Sequence, residues 1–258
     1  MPPRLPRHAR AVLLCASAAI FAPLFLACGG DDDASAGTPS ADPSPSAAND
    51  VSASPMLTMP VSRFAVSQSD LGTAFIVDIP ATLRLTADDY AKAPVFASVQ
   101  EGQTLLKQWA YQGGYETGYT PEGREKAVLQ GGFYSKIETH LFHDQDGAKK
   151  AFDRFASYLK ATPGNQAQTT LPVGNQYAAF QRIEGKVPNS SVSSVFHYLL
   201  FRRGNLVAVV FTYGADGFMK IDTARDLANM VDQKALGNAN AVEPTPASNY
   251  TPPATPKK

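Results

Sequence analysis

The first strong hydrophobic pattern of the chain is a run of apolar and small residues at 11–27, interrupted only by Ser17 and Pro23. Three arginines and no acidic residue lie upstream of it. A basic start followed by a short apolar run is typical of a secretory signal rather than of a folded domain. The run has 17 residues. Because that length is the lower limit for a membrane-spanning helix, a retained transmembrane segment stays open as the alternative.

Residues 61–237 switch repeatedly between alternating and helical hydrophobic spacing, which predicts a single α+β domain. The alternating segments predict strands at 64–66, 75–79, 111–119, 127–143, 177–183, 192–202 and 206–213. The helical spacing predicts a short helix capped by Thr86 and longer helices at 97–110, at 147–160 and from Asp216 onward. Hairpin connections dominate this order, so we expect a mainly antiparallel β-sheet packed with two to three α-helices.

The clearest pairing signal is Gly204-Asn205, a two-residue turn between two β-rich segments. The segment that follows it, 206–211, is apolar on both faces, which predicts a central strand covered on both sides. Consecutive glycines at 131 and 132 predict a bulge inside the long strand 127–143.

Segments of low hydrophobicity adjoin both ends of the domain. Residues 28–60 are rich in Ala, Ser, Pro, Gly and Asp, and contain five aspartates but neither Lys nor Arg. Residues 238–258 contain five prolines. Such segments bury too little apolar surface to offset the entropy of ordering them, so we expect a disordered tether and a disordered tail.

The apolar run ends in Phe25-Leu26-Ala27-Cys28, which resembles the lipobox of bacterial lipoproteins, with Phe25 where that class usually has leucine. The resemblance implies that the signal 1–27 is removed and that Cys28 carries the lipid. Two or more acyl chains give stable anchoring, so such a protein is held on the extracytoplasmic side, at the outer membrane or at the outer face of the cytoplasmic membrane. The alternative is an ordinary signal peptide in which Cys28 is incidental.

Cysteine content and charge narrow the possible chemistry. The chain has two cysteines, and Cys15 would leave with the signal. A lipidated Cys28 then leaves the domain with no disulfide, thiolate metal site or cysteine nucleophile. Removal of the signal would reduce the 23 basic residues to 20 against 23 acidic ones. The domain has no basic stripe, so we expect no nucleic-acid partner.

The sequence contains no G-x-S-x-G, H-E-x-x-H, P-loop or G-x-G-x-x-G motif. No catalytic residue and no cofactor are therefore predicted. The order of hairpins and helices, in an exported protein with an antiparallel sheet, resembles the Mog1/PsbP-like fold of some bacterial lipoproteins. That resemblance implies a binding or assembly module rather than an enzyme.

His140, His143, Asp144 and Asp146 form a cluster of residue types that suits zinc. However, three residues along a strand place His140 and His143 on opposite faces. The two aspartates are explained by the start of the helix 147–160, as its cap and as first-turn acids. We therefore predict no metal site. His197 lies among apolar strand residues and is interpreted as a core or sheet-surface histidine.

The candidate ligand-binding residues are Trp109, Tyr111, Tyr115 and Tyr119, which alternate with glycines. On a regular strand the three tyrosines share one face. Flat rings with polar tips can stack on a sugar ring or bury a peptide. The alternative is that these rings pack under a helix and that the glycines make room for them.

These features together predict a lipid-anchored protein of the bacterial cell envelope, a non-catalytic binding or assembly module. Its expected partners are the membrane, through the lipid on Cys28, and an envelope protein or glycan. An envelope hydrolase with an unrecognised active site is the alternative.

Overall fold

The computed structural model describes residues 52–241, so the predicted signal, Cys28 and the outer parts of the predicted tether and tail lie outside it. The strands are β1 Phe75–Val77, β2 Leu83–Leu85, β3 Tyr111–Pro121, β4 Tyr134–Phe142, β5 Gln166–Gln168, β6 Gln176–Lys186, β7 Ser193–Arg203 and β8 Leu206–Ala215. The helices are α1 Gln68–Leu71, α2 Ala87–Tyr90, α3 Val99–Gln108, α4 Arg124–Val128, α5 Gln145–Ala161 and α6 Ile221–Ala235. Short 3-10 turns lie at Val61–Phe64 and Ile79–Ala81.

The strands form one eight-stranded sheet in the order β1-β3-β4-β8-β7-β6-β5, and β2 also pairs with β3. Every pair is antiparallel. The predicted α+β class and mainly antiparallel sheet are therefore confirmed. The sequence pattern missed β2 and β5, because three residues are too few to show alternation.

The β7–β8 hairpin turns at Gly204-Asn205 as predicted, with Arg203 paired to Leu206. Strand β8 is central, and its two faces contribute to two separate hydrophobic cores. Leu206, Ala208 and Val210 pack against α6. Val207, on the opposite face, packs with α5. We call these two sides of the sheet the α6 face and the α5 face.

The two long helices begin in different ways. Asp144 caps α5, and its Oδ1 accepts a hydrogen bond of 2.7 Å from the backbone N–H of Gly147. This is the predicted cap. Helix α6 begins at Ile221, not at Asp216, because Gly217 adopts a left-handed φ of 84° in a turn before the helix.

One predicted strand is wrong and another is wrong in part. Residues 64–66 do not form a strand; Phe64 ends a 3-10 turn and the chain then runs on as coil. The predicted long strand 127–143 is a short helix, α4, followed by a turn and by β4. Gly131, with φ of 94°, lies in that turn and not in a strand bulge. Leu129 and Phe133, whose spacing continued the alternation of β4, lie in the turn after α4 and just before β4.

The segment 52–60, which the sequence assigns to the tether, docks on the tip of the β7–β8 hairpin. The carbonyl oxygen of Ala53 accepts a hydrogen bond of 2.7 Å from the Arg203 guanidinium. The amide of Asn205 bonds both to the backbone N–H of Leu57, at 2.7 Å, and to its carbonyl oxygen, at 3.1 Å. The packed domain therefore begins upstream of the predicted boundary at residue 61.

Candidate functional site

The predicted aromatic segment does not form a single face. The register of β3 against β4 shifts between Tyr111 and Gly113, which is a β-bulge at Gln112. One extra residue reverses the side to which every later side chain points. Tyr111 therefore lies with the α5-face core, whereas Tyr119 belongs to the α6-face core. The prediction that the three tyrosines share a face is wrong.

The aromatic segment is mostly buried. Trp109 packs in the α5-face core, and Tyr115 and Tyr119 are each about 2% exposed. The Tyr119 hydroxyl donates a hydrogen bond of 2.5 Å to the carbonyl oxygen of Val66. The structure therefore favours the packing interpretation of these residues over the ligand-binding one.

Tyr111 instead joins a polar network around the buried His140. The Nδ1 atom of His140 lies 3.3 Å from the Tyr111 hydroxyl, and its Nε2 atom lies 3.3 Å from a carboxylate oxygen of Glu138. The ring of Tyr90 stacks on the imidazole at a centroid distance of 4.0 Å. Neighbouring side chains thus contact both ring nitrogens and one face of the His140 imidazole.

The candidate metal ligands are separated by the fold. His140 is buried in the network above, and His143 lies beyond the end of β4 with its side chain 75% exposed. Asp144 caps α5 and Asp146 pairs with Lys150 at 2.6 Å. Within residues 52–241, no group of three His, Cys, Asp or Glu side chains is arranged to hold a metal.

A contiguous aromatic surface lies elsewhere, on the half of the α5 face that is farthest from the hairpin tip. We call it the aromatic patch, and it consists of Tyr134, Phe196, Tyr198, Phe211 and Tyr213. The centroid distances are 5.6 Å for Tyr134–Tyr213, 5.1 Å for Phe196–Tyr213, 6.0 Å for Phe196–Phe211 and 5.2 Å for Tyr198–Phe211. All five side chains are partly exposed.

The patch is partly exposed because the cover supplied by α5 ends before it, although Tyr134 packs against a small cluster that includes Val128 of α4. Phe155 and Leu159 of α5 belong to one buried cluster with Leu200 and Val207. Tyr198 packs at the edge of that cluster. The remaining four rings of the patch are not part of it, although they lie on the same face of β4, β7 and β8.

Charged groups border the patch on one side. The ammonium of Lys136, next to Tyr134 on the same face of β4, lies 3.2 Å from a Glu116 carboxylate oxygen and 2.6 Å from a Glu138 carboxylate oxygen. The Lys136 side chain is 42% exposed, so this group of charges reaches the surface.

Arg182 borders the patch on the opposite side. Its guanidinium lies over the ring of Phe196 at 5.3 Å and over that of Tyr198 at 5.9 Å, and it donates a 3.2 Å hydrogen bond to the Tyr198 hydroxyl. Glu184 lies 3.0 Å from its Nε atom. Cation–π contacts of this kind attract the guanidinium to the faces of these rings.

The two carboxyl groups beside Lys136 have pKa values that move in opposite directions. Burial raises the pKa of Glu116 to about 7, even though the Lys136 ammonium opposes the shift. Burial also disfavours ionised Glu138, but there Lys136 and the hydrogen bond from His140 prevail and lower the pKa. The same two carboxylates raise the pKa of Lys136 against its own burial. Near neutral pH, one proton can therefore be gained or lost at the edge of the patch.

The aromatic segment 109–119 was not the exposed one, although the sequence carries a signal for the aromatic patch. Phe196 and Tyr198 alternate on one strand, and Phe211 and Tyr213 alternate on the next. The predicted turn at Gly204-Asn205 fixes the register, which pairs Phe196 with Tyr213 and Tyr198 with Phe211. The predicted role of His197, on the other face of β7, is confirmed, since it is buried.

No protein-family model matches the sequence, and no curated protein matches it. The extracellular domain of PknH from Mycobacterium tuberculosis aligns with 71% of this chain and with all of that domain, at 10% identity and a TM-score of 0.40.

Two further solved structures align more loosely. The Ran-binding protein Mog1p of Saccharomyces cerevisiae covers 47% of this chain and 74% of its own, at 13% identity and a TM-score of 0.24. LpqN of Mycobacterium tuberculosis, involved in cell envelope biogenesis, covers 65% of this chain and 86% of its own, at 14% identity and a TM-score of 0.21. At these TM-scores the similarities establish neither a shared family nor a shared function.

The described part of the chain contains no helix of the length and apolarity required to cross a membrane. The predicted signal and the predicted lipid attachment site both lie outside it.

Proposed function

We propose that this protein is a lipid-anchored, extracytoplasmic module of a bacterial cell envelope that binds its ligand on the aromatic patch without catalysis. The observation that carries the proposal is the patch itself, in which five neighbouring rings stay partly exposed on an ordered sheet. Exposed apolar surface forgoes about 25 cal/mol of stabilisation per Å². Contiguous exposed apolar surface commonly marks a binding site.

The anchor part of the proposal rests on the first 28 residues of the sequence. The arginine-rich start, the apolar run and the terminal Cys28 agree with a lipoprotein signal. The position of the patch fits this arrangement. The segment 52–60 docks at the hairpin tip, at one end of β7 and β8, and the patch lies towards the other end of the same strands. A ligand could then reach the patch without crossing the point where the tether joins the domain.

A labelling experiment in a bacterial host tests the anchor. Cells that express the full chain are fed an alkyne fatty acid, and the protein is followed by click detection and by membrane fractionation. We expect the wild-type protein to be labelled and membrane-bound, and Cys28→Ser to be unlabelled and released. Cys15→Ser, within the predicted signal, serves as the matched control and should stay labelled. A Cys28→Ser variant that remains in the membrane fraction would contradict the lipid anchor.

An envelope hydrolase remains the second candidate, because Glu116 and Glu138 are adjacent carboxyl groups whose pKa values move apart. Such a separation is found in acid–base catalytic pairs. Both carboxylates are, however, engaged by the same Lys136 ammonium. Turnover of a panel of glycoside and ester substrates that is lost in Glu138→Gln would favour the hydrolase and overturn the non-catalytic proposal.

A further inference from the structure

We propose that the aromatic patch binds an uncharged oligosaccharide, with sugar rings stacked on its aromatic rings and sugar hydroxyls bonded to the charged groups at its borders. This inference rests on the proposed function and names the class of ligand. It follows from the shape of the patch, the balance of its charges and the hydrogen-bonding groups around it.

The shape of the patch suits flat rings. Its members lie on the adjacent strands β4, β8 and β7, and the rings follow one another at 5.1 to 6.0 Å. Neighbouring strands are about 4.8 Å apart, so three strands span about 10 Å, roughly the length of two pyranose rings. Aromatic faces present apolar surface to the C–H face of such a ring, and phenol hydroxyls lie at their edges.

The charges at the borders favour a neutral ligand. Lys136 is already paired with two carboxylates, and Arg182 is paired with Glu184. An anionic ligand such as a phosphate or a nucleic acid would meet carboxylates beside both cations. Since like charges repel and both cations are already compensated, an anion gains little there.

The hydrogen-bonding groups favour hydroxyls over an apolar peptide. Carboxylates on one border accept hydrogen bonds, and the ammonium and guanidinium donate them. The Tyr213 hydroxyl, within the patch, accepts a 3.4 Å hydrogen bond from Ser194 and can still donate one. A sugar hydroxyl can both donate and accept, so it can bond to either kind of group, whereas an apolar side chain would leave these groups desolvated and unpaired.

The binding test uses the full chain, purified in a detergent without a sugar head group, and two neutral probes, maltohexaose and chitotetraose. Saturation-transfer NMR and calorimetric titration measure binding. We expect at least one probe to bind and Phe196→Ala to weaken that binding at least tenfold. Tyr177→Ala is the matched control, because Tyr177 is 38% exposed on β6 outside the patch; its affinity should stay within twofold.

Two results would overturn the ligand class. The first is that neither maltohexaose nor chitotetraose binds. The second is that an anionic probe, such as a heparin hexasaccharide, binds more tightly than the neutral probes. An unchanged affinity in Phe196→Ala would show that the sugar binds elsewhere on the protein, which also overturns the proposal.

A cross-linking experiment separates failure of the ligand class from failure of the proposed function. A photoreactive phenylalanine analogue replaces Phe211, and cells are irradiated. A cross-link to glycan supports the inference. A cross-link to a protein alone overturns the oligosaccharide but leaves a binding module. No cross-link, together with no binding of either sugar, overturns both.

Discussion

On the α5 face, Leu200 and Val207 are fully buried under α5, whereas Phe196 and Phe211 on the same two strands keep part of their surface in water. The strands do not change character between these positions, since both halves alternate apolar residues at the same spacing. The difference lies in the helix, which covers one half of the face and ends before the other. An apolar strand face therefore acts as core or as binding surface according to what lies above it.

Charged groups on the two faces of the sheet show a similar contrast. Arg203, at the hairpin tip, forms a fully buried two-point ion pair with Asp232 of α6, at 2.7 and 2.8 Å. Lys136, beside the patch, bonds to two carboxylates while its side chain is 42% exposed. The Arg203–Asp232 pair lies in a low-dielectric interior without access to a ligand. The Lys136 ammonium and its carboxylates can instead form hydrogen bonds with a ligand.

The largest effect should come from breaking the sealed ion pair. Asp232→Ala removes the carboxylate from a guanidinium that is 0% exposed, so the free energy of unfolding should fall by about 3–5 kcal/mol. Urea denaturation measures it. The matched control is Asp226→Ala, on the same helix but in an exposed pair with Arg225, which should cost less than about 1 kcal/mol. An equal loss of unfolding free energy in both variants would contradict the distinction between the buried and the exposed ion pair.

Truncating one phenylalanine in each region compares their packing directly. Phe155→Ala opens a cavity beneath α5, where the side chain is 7% exposed, and should cost about 3 kcal/mol of unfolding free energy. Phe196→Ala, in the patch, should cost about 1 kcal/mol because water can fill the space. Chemical denaturation of both variants tests this. A loss at Phe196 as large as that at Phe155 would mean that the patch is core and not a free surface.

The docking of the segment 52–60 can be broken at Gly204. A methyl group at this residue would lie 1.8 Å from the carbonyl oxygen of Pro55, and its φ is 57°. Gly204→Ala should therefore displace the segment and cost about 1–3 kcal/mol. Proteolysis within 52–60 should become faster. Gly217→Ala, also at positive φ but with no atom within 4 Å, is the control and should leave that cleavage rate unchanged.

The smallest expected effect is a pH dependence at the border of the patch. Because the pKa of Glu116 is raised to about 7 in the folded state, its contribution to stability falls as pH rises from about 4.5 to 7. Glu116→Gln removes this loss. The stability of the variant relative to wild type should thus rise across that window. Denaturation curves at pH 4.5, 5.5, 7 and 8 measure it.

The relative measurement isolates Glu116 from His197, whose pKa burial lowers to about 4. His197 destabilises the fold as pH falls from 6.5 towards 4, and it does so equally in both proteins. A difference that stays flat from pH 4.5 to 7 would show that Glu116 ionises normally.

The sequence predicted those elements whose signals are local. The hairpin turn at Gly204-Asn205 and the Asp144 cap of α5 each depend on a few neighbouring residues, and both are present in the structure. The α+β class and the central position of β8 followed from hydrophobic spacing alone. The pattern failed at residues 127–133, where a short helix and a turn were mistaken for a strand.

The candidate site was harder to predict because it depends on relations between distant segments. A bulge at Gln112 places Tyr111 and Tyr115 on opposite faces of the sheet, and a glutamine at that position does not indicate a bulge. The register of the aromatic patch could have been worked out from the hairpin, but its exposure could not. Exposure depends on where α5 crosses the sheet, which is a matter of tertiary packing and not of local pattern.

The docked segment 52–60 also determines how the domain would carry a mechanical load. A pull transmitted from upstream of Ser52 would first reach the hydrogen bonds of Ala53 with Arg203 and of Leu57 with Asn205. Arg203 passes that force to Asp232, and thus to α6, before it reaches the edge strand β1. Tension on the tether would then load the hairpin tip and α6 before it loads the edge strand β1.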